Sequence, residues 1–336
     1  MTSNETSSDS ELTEVYTQIL SIVYPTFLST TVIAHGILLI FIIFFSPLHL
    51  KFLRILLLKT SIFDVLATVT NFYIQPRIVS GGRINVPVYC YGLCRHMSSS
   101  LCFLIYMGWQ IFSLAVGISM TYTLFFKYYK LNFNGPLVGK RLIISLLGFY
   151  TPCFVSTFCS VIIVLRNTLP VEASKRISEV AIIDRKYSLI GRMTLGEIPN
   201  KINFLMIAYG IYISPFLAFW FRWKSNKQLN ETIAGASPYL RYHAKNVMTG
   251  VTIQVFMHFL FYIPMFSLYS YSLISGTEVL VQQFFLAMSP NLAATFDPLI
   301  NLYYVVPYRN RIKSWFCSRH EVTPLRVASL TPSAVA

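Results

Sequence analysis

Phe296-Asp297-Pro298-Leu299-Ile300-Asn301-Leu302-Tyr303-Tyr304 decides the fold of this chain, because it interrupts an apolar run that extends from Val279 to Cys317. About 20 mostly apolar residues cross a bilayer as a helix. An aspartate beside a proline within such a segment is costly twice. The charge loses its hydration, and proline leaves one backbone carbonyl without its helical donor. Asp297 and Pro298 must therefore face an interior built by other helices. After Pro307, the run Tyr308-Arg309-Asn310-Arg311-Ile312-Lys313-Ser314-Trp315-Phe316-Cys317 mixes basic and aromatic residues at helical spacing. That pattern predicts an amphipathic helix, residues 307–317, lying on a membrane surface.

Composition agrees. Of 336 residues 54% are hydrophobic and only 12% charged, about half the charged share usual in soluble domains. The net charge of +14 is spread among apolar spans rather than gathered in one patch, so it argues for charged loops beside a bilayer and against a nucleic-acid partner. The six cysteines do not form a disulfide framework, since Cys102, Cys153 and Cys159 fall inside expected spans. Cys90 and Cys94 are the exposed disulfide candidates. A Cys94–Cys102 link also remains open.

Upstream, the same logic supplies six more spans. Residues 1–19 carry Glu5, Asp9, Glu11 and Glu14 and no basic residue, so they lack the charged start of a cleaved signal and read as an extracellular tail with Asn4 as a glycosylation candidate. Spans are expected at about 20–45, 55–75, 97–126, 142–165, 202–221, 247–274 and 280–306. They make 20–306 one seven-helix domain, followed by the surface helix and a cytoplasmic tail, 318–336. In the second span Thr60, Asp64, Thr68, Asn71 and Gln75 recur at three- and four-residue intervals. They share one helix face, which must point inward. Tyr106, Gln110, Ser113, Gly117 and Thr121 form a similar stripe on the third span. Gln254, His258 and Tyr262 form one on the sixth, just ahead of Pro264.

Counting Lys and Arg sets the orientation. Sixteen of the 27 fall on the side opposite the N-terminus and ten on the N-terminal side, seven of those ten in the long loop 166–201. Long loops obey the positive-inside bias weakly, so the N-terminus is expected outside.

The residues Gln75-Pro76-Arg77, Gly92, Cys94-Arg95, Cys102-Phe103, Tyr106, Gly250, Thr252, Gln254, Tyr262, Pro264, Asp297-Pro298, Tyr304-Val305 and Pro307-Tyr308-Arg309, in that order and spacing, resemble the nematode serpentine chemoreceptors of class delta. The resemblance runs from the first span to the surface helix. It implies an all-α membrane protein, a seven-transmembrane, GPCR-like bundle in the plasma membrane of chemosensory cells, by family habit their cilia. It implies as partners an odorant-like small molecule, a heterotrimeric G protein and the lipid bilayer. Two departures stand out. Phe126-Lys127-Tyr128-Tyr129 replaces the acidic-arginine pair that closes the third helix in many seven-helix receptors, and the 166–201 loop has no cysteine to bond the third helix.

Candidate functional residues follow. Asp64 and Asp297 are intramembrane carboxyls, functional by default. In rhodopsin-like receptors acids at comparable points share a hydrated pocket that changes on activation, so the two are expected to act as a polar switch. Tyr106, Gln110, Tyr262 and Gln283 are ligand-pocket candidates, being polar, inward by spacing and on the outer half. Pro215, Pro264 and Pro298 are the expected helix kinks. Cys317 is a palmitoylation candidate, one acyl chain beside a basic patch. Neither enzymatic activity, a cofactor nor a metal is expected, because an intramembrane centre needs several converging ligands and only His35 and His258 lie within spans. A channel or transporter subunit would show a charged lumen or an inverted repeat, and neither is visible. A non-signalling scaffold is the remaining alternative.

Overall fold

The computed structural model describes residues 3–46, 51–80, 85–132, 137, 139–166, 187–232 and 238–316. Along the chain these form α1 (Ser3–Phe44), α2 (Lys51–Ile74), β1 (Pro76–Ile78), β2 (Asn85–Cys90), α3 (Ser99–Asn132), α4 (Lys140–Arg166) and β3 (Ser188–Thr194). The helix α5, residues 198–232, joins Ile198–Ala208 to Ser214–Thr232 through a π-turn at Tyr209–Ile213. Then come α6 (Pro238–Ser275), α7 (Leu280–Phe285), α8 (Ser289–Tyr304) and α9 (Val306–Phe316).

Among the described residues five segments are long and apolar enough to cross a membrane: Glu11–Phe44, Ser99–Lys130, Lys140–Arg166, Ile198–Gln228 and Ala244–Ser275. The other two crossings hide for a physical reason. Lys51, Arg54, Lys59 and Asp64 dilute the apolar character of α2, and the last crossing is divided between α7 and α8. Together they make a seven-helix membrane bundle. Its outer surface carries the apolar side chains that lipid requires, among them Phe44, Ile144, Phe158, Leu165 and Ile274, each more than two-thirds exposed. Its interior holds Asp64, Thr68, Asn71, Ser119, Ser156, Gln254 and Asp297, each at most 3% exposed. Apolar outside and polar inside is the reverse of a soluble protein, and it follows from hydrocarbon as the solvent.

The bundle is not wholly helical. β1, β2 and β3 form an antiparallel sheet, in that order, across one end. Pro76 pairs with Cys90, and Val88 with Gly191. Pro87 sits in the central strand, where a missing N–H would break a ladder, but a register shift at Val88/Tyr89 relieves the constraint beside it. The chain enters the sheet at Gln75, whose φ of 46° is left-handed and ends α2. Ile78, Val86, Val88, Ile190 and Met193 of the sheet pack on Phe103, Tyr106, Met107 and Trp109 of α3 and on Phe266 and Tyr269 of α6. The sheet is therefore a lid on the helix bundle.

Several expectations change. Helix α1 begins at Ser3, inside the segment read as a tail, since neither Pro nor Gly interrupts the chain before Pro25. The Asn4 side chain and all of Cys317 lie outside the described residues. At Pro215 the helix answers the missing N–H with the π-turn immediately upstream. Pro264 lies inside α6 and Pro298 inside α8, both continuous helices, and the last crossing is also interrupted between Phe285 and Ser289, where Pro290 takes an opening position of α8. The disulfide also differs. Cys94 bonds Cys102, with Cα atoms 5.5 Å apart, and Cys90 keeps a free thiol. Because α3 starts at Ser99, Cys102 lies in its opening turn beside the short 3₁₀ turn Leu93–His96 that carries Cys94, rather than at bilayer depth.

At the opposite end α9 folds back on the bundle. Tyr308 and Ile312 pack with Phe41 and Phe45 of α1's end, while Arg311 and Lys313 stay exposed. This is the expected amphipathic surface helix.

A candidate ligand cavity and its polar floor

Helix α3 organises the site because it touches α2, α4, α5 and α6. Beneath the sheet, a cavity of about 110 Å³ lies among α3, α5, α6 and the α7–α8 junction. A single water takes roughly 10–15 Å³ on the same measure, so this is room for a small molecule. Its walls are Tyr106, Trp109, Leu114 and Met120 of α3; Phe204, Ile207 and Ile211 of α5; Val255, Phe266 and Tyr269 of α6; and Leu286. Ile78 and Met193 of the sheet close it from above.

Most of its polar groups are already engaged with one another. The Ser156 hydroxyl of α4 donates to Asn203 Oδ1 at 2.6 Å; Asn203 Nδ2 donates to Gln110 Oε1 at 3.2 Å; Gln110 Nε2 donates to the Tyr106 oxygen at 2.9 Å. One chain of hydrogen bonds thus ties α4, α5 and α3. Lower down, Thr121 and Ser214 pair at 2.6 Å, again joining α3 to α5. Such bonds let apolar helices carry amides without leaving them orphaned.

Three of the pocket candidates, Tyr106, Gln110 and Tyr262, line the cavity, and so does Pro215. Gln283 does not. Its Oε1 accepts from Arg77 Nε at 3.1 Å and Nη2 at 3.0 Å, and the guanidinium lies 4.5 Å from the Phe284 ring, so α7 turns Gln283 toward β1 instead. Trp109, Asn200 and Asn203 line the cavity and were missed. The i, i+3 pair Asn200 and Asn203 at the mouth of an apolar span was the available signal.

The floor is made by His258 and Tyr262, whose rings stack at 5.4 Å between centroids and 27° between planes. His258 Nδ1 lies 2.9 Å from the Gln254 carbonyl, which only accepts, so Nδ1 carries the proton and neutral imidazole leaves Nε2 an acceptor. Below the floor, Asp64 and Asp297 approach one another and a His258 ring nitrogen, with one atom of each within 4.8 Å of the others. The two acids were expected to share a pocket; that His258 joins them, making three converging groups that could hold a metal ion, was not expected. Asp64 Oδ2 and both carboxyl oxygens of Asp297 are buried without a hydrogen-bond partner among the described residues. His35 supports the group from the side. Its Nε2 faces the Ala294 carbonyl at 3.0 Å and Asp64 Oδ2 at 3.9 Å, and its Nδ1 meets the Ser61 hydroxyl at 2.7 Å. Asn71 Nδ2 donates to the Ala287 carbonyl, fastening α2 beside the α7–α8 break. A tightly fastened bundle surrounds a loosely satisfied acid cluster.

Outside the membrane, burial pushes the Cys90 thiol from about 9 up to about 12. Cys90 is the last residue of β2, and its sulfur lies within 4.8 Å of both sulfurs of the Cys94–Cys102 bond.

Residues 20–314 match the family model described as serpentine type 7TM GPCR chemoreceptor Srd. The chain belongs to the Srd chemoreceptor family. It is 33% identical to serpentine receptor class delta-40 of Caenorhabditis elegans over 317 residues, covering 94% of this chain and 98% of that protein. It is also 29% identical to class delta-44 of the same organism, over 96% of this chain and 98% of that protein, and 29% identical to class delta-48. The matched residues span the positions of the lid strands, of Cys94 and Cys102 and of Asp64 and Asp297. The chain is a multi-pass membrane protein of a seven-helix chemoreceptor class, and these relatives are serpentine receptors.

Proposed function

We propose that this protein is a chemosensory receptor of the plasma membrane, with its N-terminus and sheet lid outside, placed by family habit on sensory-neuron cilia. An odorant-like molecule occupies the cavity beneath the lid and favours one of two bundle arrangements, and a heterotrimeric G protein reads the difference at the opposite end. The supporting observation is adjacency. His258 and Tyr262 line the cavity, and His258 also reaches the buried Asp64 and Asp297. A ligand that presses on the stacked pair alters the surroundings of two carboxyls, three of whose four oxygens are buried without a hydrogen-bond partner among the described residues. The basic ends of α3, α5 and α6, including Lys130, Lys224 and Lys245, face the intracellular partner in this orientation.

The test is a reporter-cell screen of volatile and water-soluble cues, with calcium and cyclic-nucleotide readouts and surface expression checked. A response that requires the G protein and disappears in Tyr262→Ala supports the proposal. Ion flux without any G protein would instead establish a ligand-gated channel.

A further inference from the structure

The lining of the cavity carries a statement about ligand chemistry, which rests on the cavity being the ligand site. Among its 27 lining residues there is no lysine, arginine, aspartate or glutamate. The carboxyls of Asp64 and Asp297 lie behind the His258–Tyr262 stack, outside the lining. With the stack in place, a charged ligand loses its hydration and meets no counter-charge among the described lining residues. The cavity is not inert, however. The Trp109 indole N–H, Asn200 Oδ1 and His258 Nε2 are buried and have no partner among the described residues, although more than nine-tenths of each residue is covered. The Ser113 hydroxyl, on another lining residue, is likewise buried without a partner among the described residues, and since buried polar atoms in a native fold are nearly always satisfied, these four orphans on one cavity's lining point to something that satisfies them. Indole donates only, whereas amide oxygen and the free imidazole nitrogen accept.

We infer that the cavity selects compact, uncharged molecules, apolar over most of their surface, with a carbonyl or ether oxygen for Trp109 and, where a hydroxyl is present, a donor for Asn200 or His258. Amines and carboxylates of the same skeleton are excluded. The selectivity is a matter of desolvation and of one donor and two acceptors, with the Ser113 hydroxyl able to serve as either.

The experiment uses the purified full chain in lipid nanodiscs and reads ligand-dependent thermal stabilisation. The probes share one ring: acetophenone, benzyl alcohol, toluene, benzylamine and benzoate. Acetophenone and benzyl alcohol are expected to stabilise at the lowest concentrations, and charged benzylamine and benzoate to need at least about a hundred-fold more. Trp109→Phe keeps an aromatic ring but removes the donor. It should weaken acetophenone about ten-fold and leave toluene unchanged. Val255→Trp and, separately, Ser113→Phe fill the cavity and should abolish binding of every probe. If benzylamine or benzoate binds tightest and the filling variants abolish that binding, the proposed class is wrong while the cavity remains the ligand site. Binding untouched in both filling variants shows that the cavity is not the site. Equal losses for acetophenone and toluene in Trp109→Phe, or no stabilisation by either neutral polar probe, overturn the inference.

Discussion

Above and below the His258–Tyr262 stack, the same bundle treats polar side chains in opposite ways. In the upper half Ser156, Asn203, Gln110 and Tyr106 spend their groups on one another and leave Trp109 Nε1 and Asn200 Oδ1 open to the cavity, under a sheet whose exit turn is bonded to α3 through Cys94–Cys102. In the lower half Asp64 and Asp297 stand within reach of one another and of His258 with oxygens unsatisfied. Satisfied networks hold a shape, whereas unsatisfied buried groups gain whenever a rearrangement, a water or a proton reaches them. The upper half is built to keep a cavity in place and the lower half to change.

The sharpest way to break this contrast is to show that the lid is open. With its thiol pushed from about 9 to about 12, Cys90 should be alkylated about a thousand-fold more slowly than an exposed cysteine at pH 8. The sign is that of a group whose neutral form is favoured by folding. Raising the pH from about 9 toward 12 therefore costs stability as the unfolded thiol ionises first. Mass spectrometry of the intact receptor after timed alkylation measures the rate. Rapid labelling of Cys90 in folded protein would mean the sheet does not seal this end.

Next in size is the acid pair. Asp64→Asn and Asp297→Asn preserve shape but remove the ability to ionise, and each should shift signalling potency or basal activity by about a hundred-fold while ligand binding to the cavity changes by less than about three-fold. Reporter dose-response curves and nanodisc binding on the same variants separate the two. If binding falls in step with signalling, the acids belong to the ligand site and the two halves are one.

That division was only partly legible beforehand. The inward stripes of α2, α3 and α6 could be read from three- and four-residue spacing, because helical period is local, and Asp297-Pro298 announced a protein interior on cost alone. The sheet could not. β1 has three residues, β2 contains Pro87, and their partner β3 lies far along the chain, so neither length nor pattern declared a strand. Gln283 was assigned to the pocket by carrying one helical phase through a segment that breaks before Pro290, where the phase is lost. Asn203 matters through partners on two other helices, a relation that spacing within one helix does not encode.

A smaller effect tests what clamps the moving half. A Cβ on Gly250 of α6 would lie 2.7 Å from Tyr304 Cβ of α8. That neighbour is the root of a side chain and cannot swing away. Gly250→Ala should therefore cost about 2 kcal/mol and force α6 from α8 at the end away from the lid. Thermal unfolding measures the loss, and accompanying basal signalling would place the clamp on the switch. An unchanged melting temperature would mean that the two helices are not held in this contact.

The smallest expected effect addresses the claim that the upper network is structural. Asn203→Ala removes one member and leaves the Ser156 hydroxyl and Gln110 Oε1 without their partner, so about 1–1.5 kcal/mol of stability should be lost. Ser156→Ala alone should cost less, since it strands only one acceptor. If the bonds act as a chain, Ser156→Ala added to Asn203→Ala should cost almost nothing further, because the hydroxyl it deletes was already orphaned; a double-mutant cycle on melting temperatures reads this coupling directly. Additive losses would mean that the three helices are held by packing and that the hydrogen bonds only fill space. In that case the upper half would be as free to rearrange as the acid cluster beneath it, and ligand binding would have to select the cavity's shape rather than find it ready.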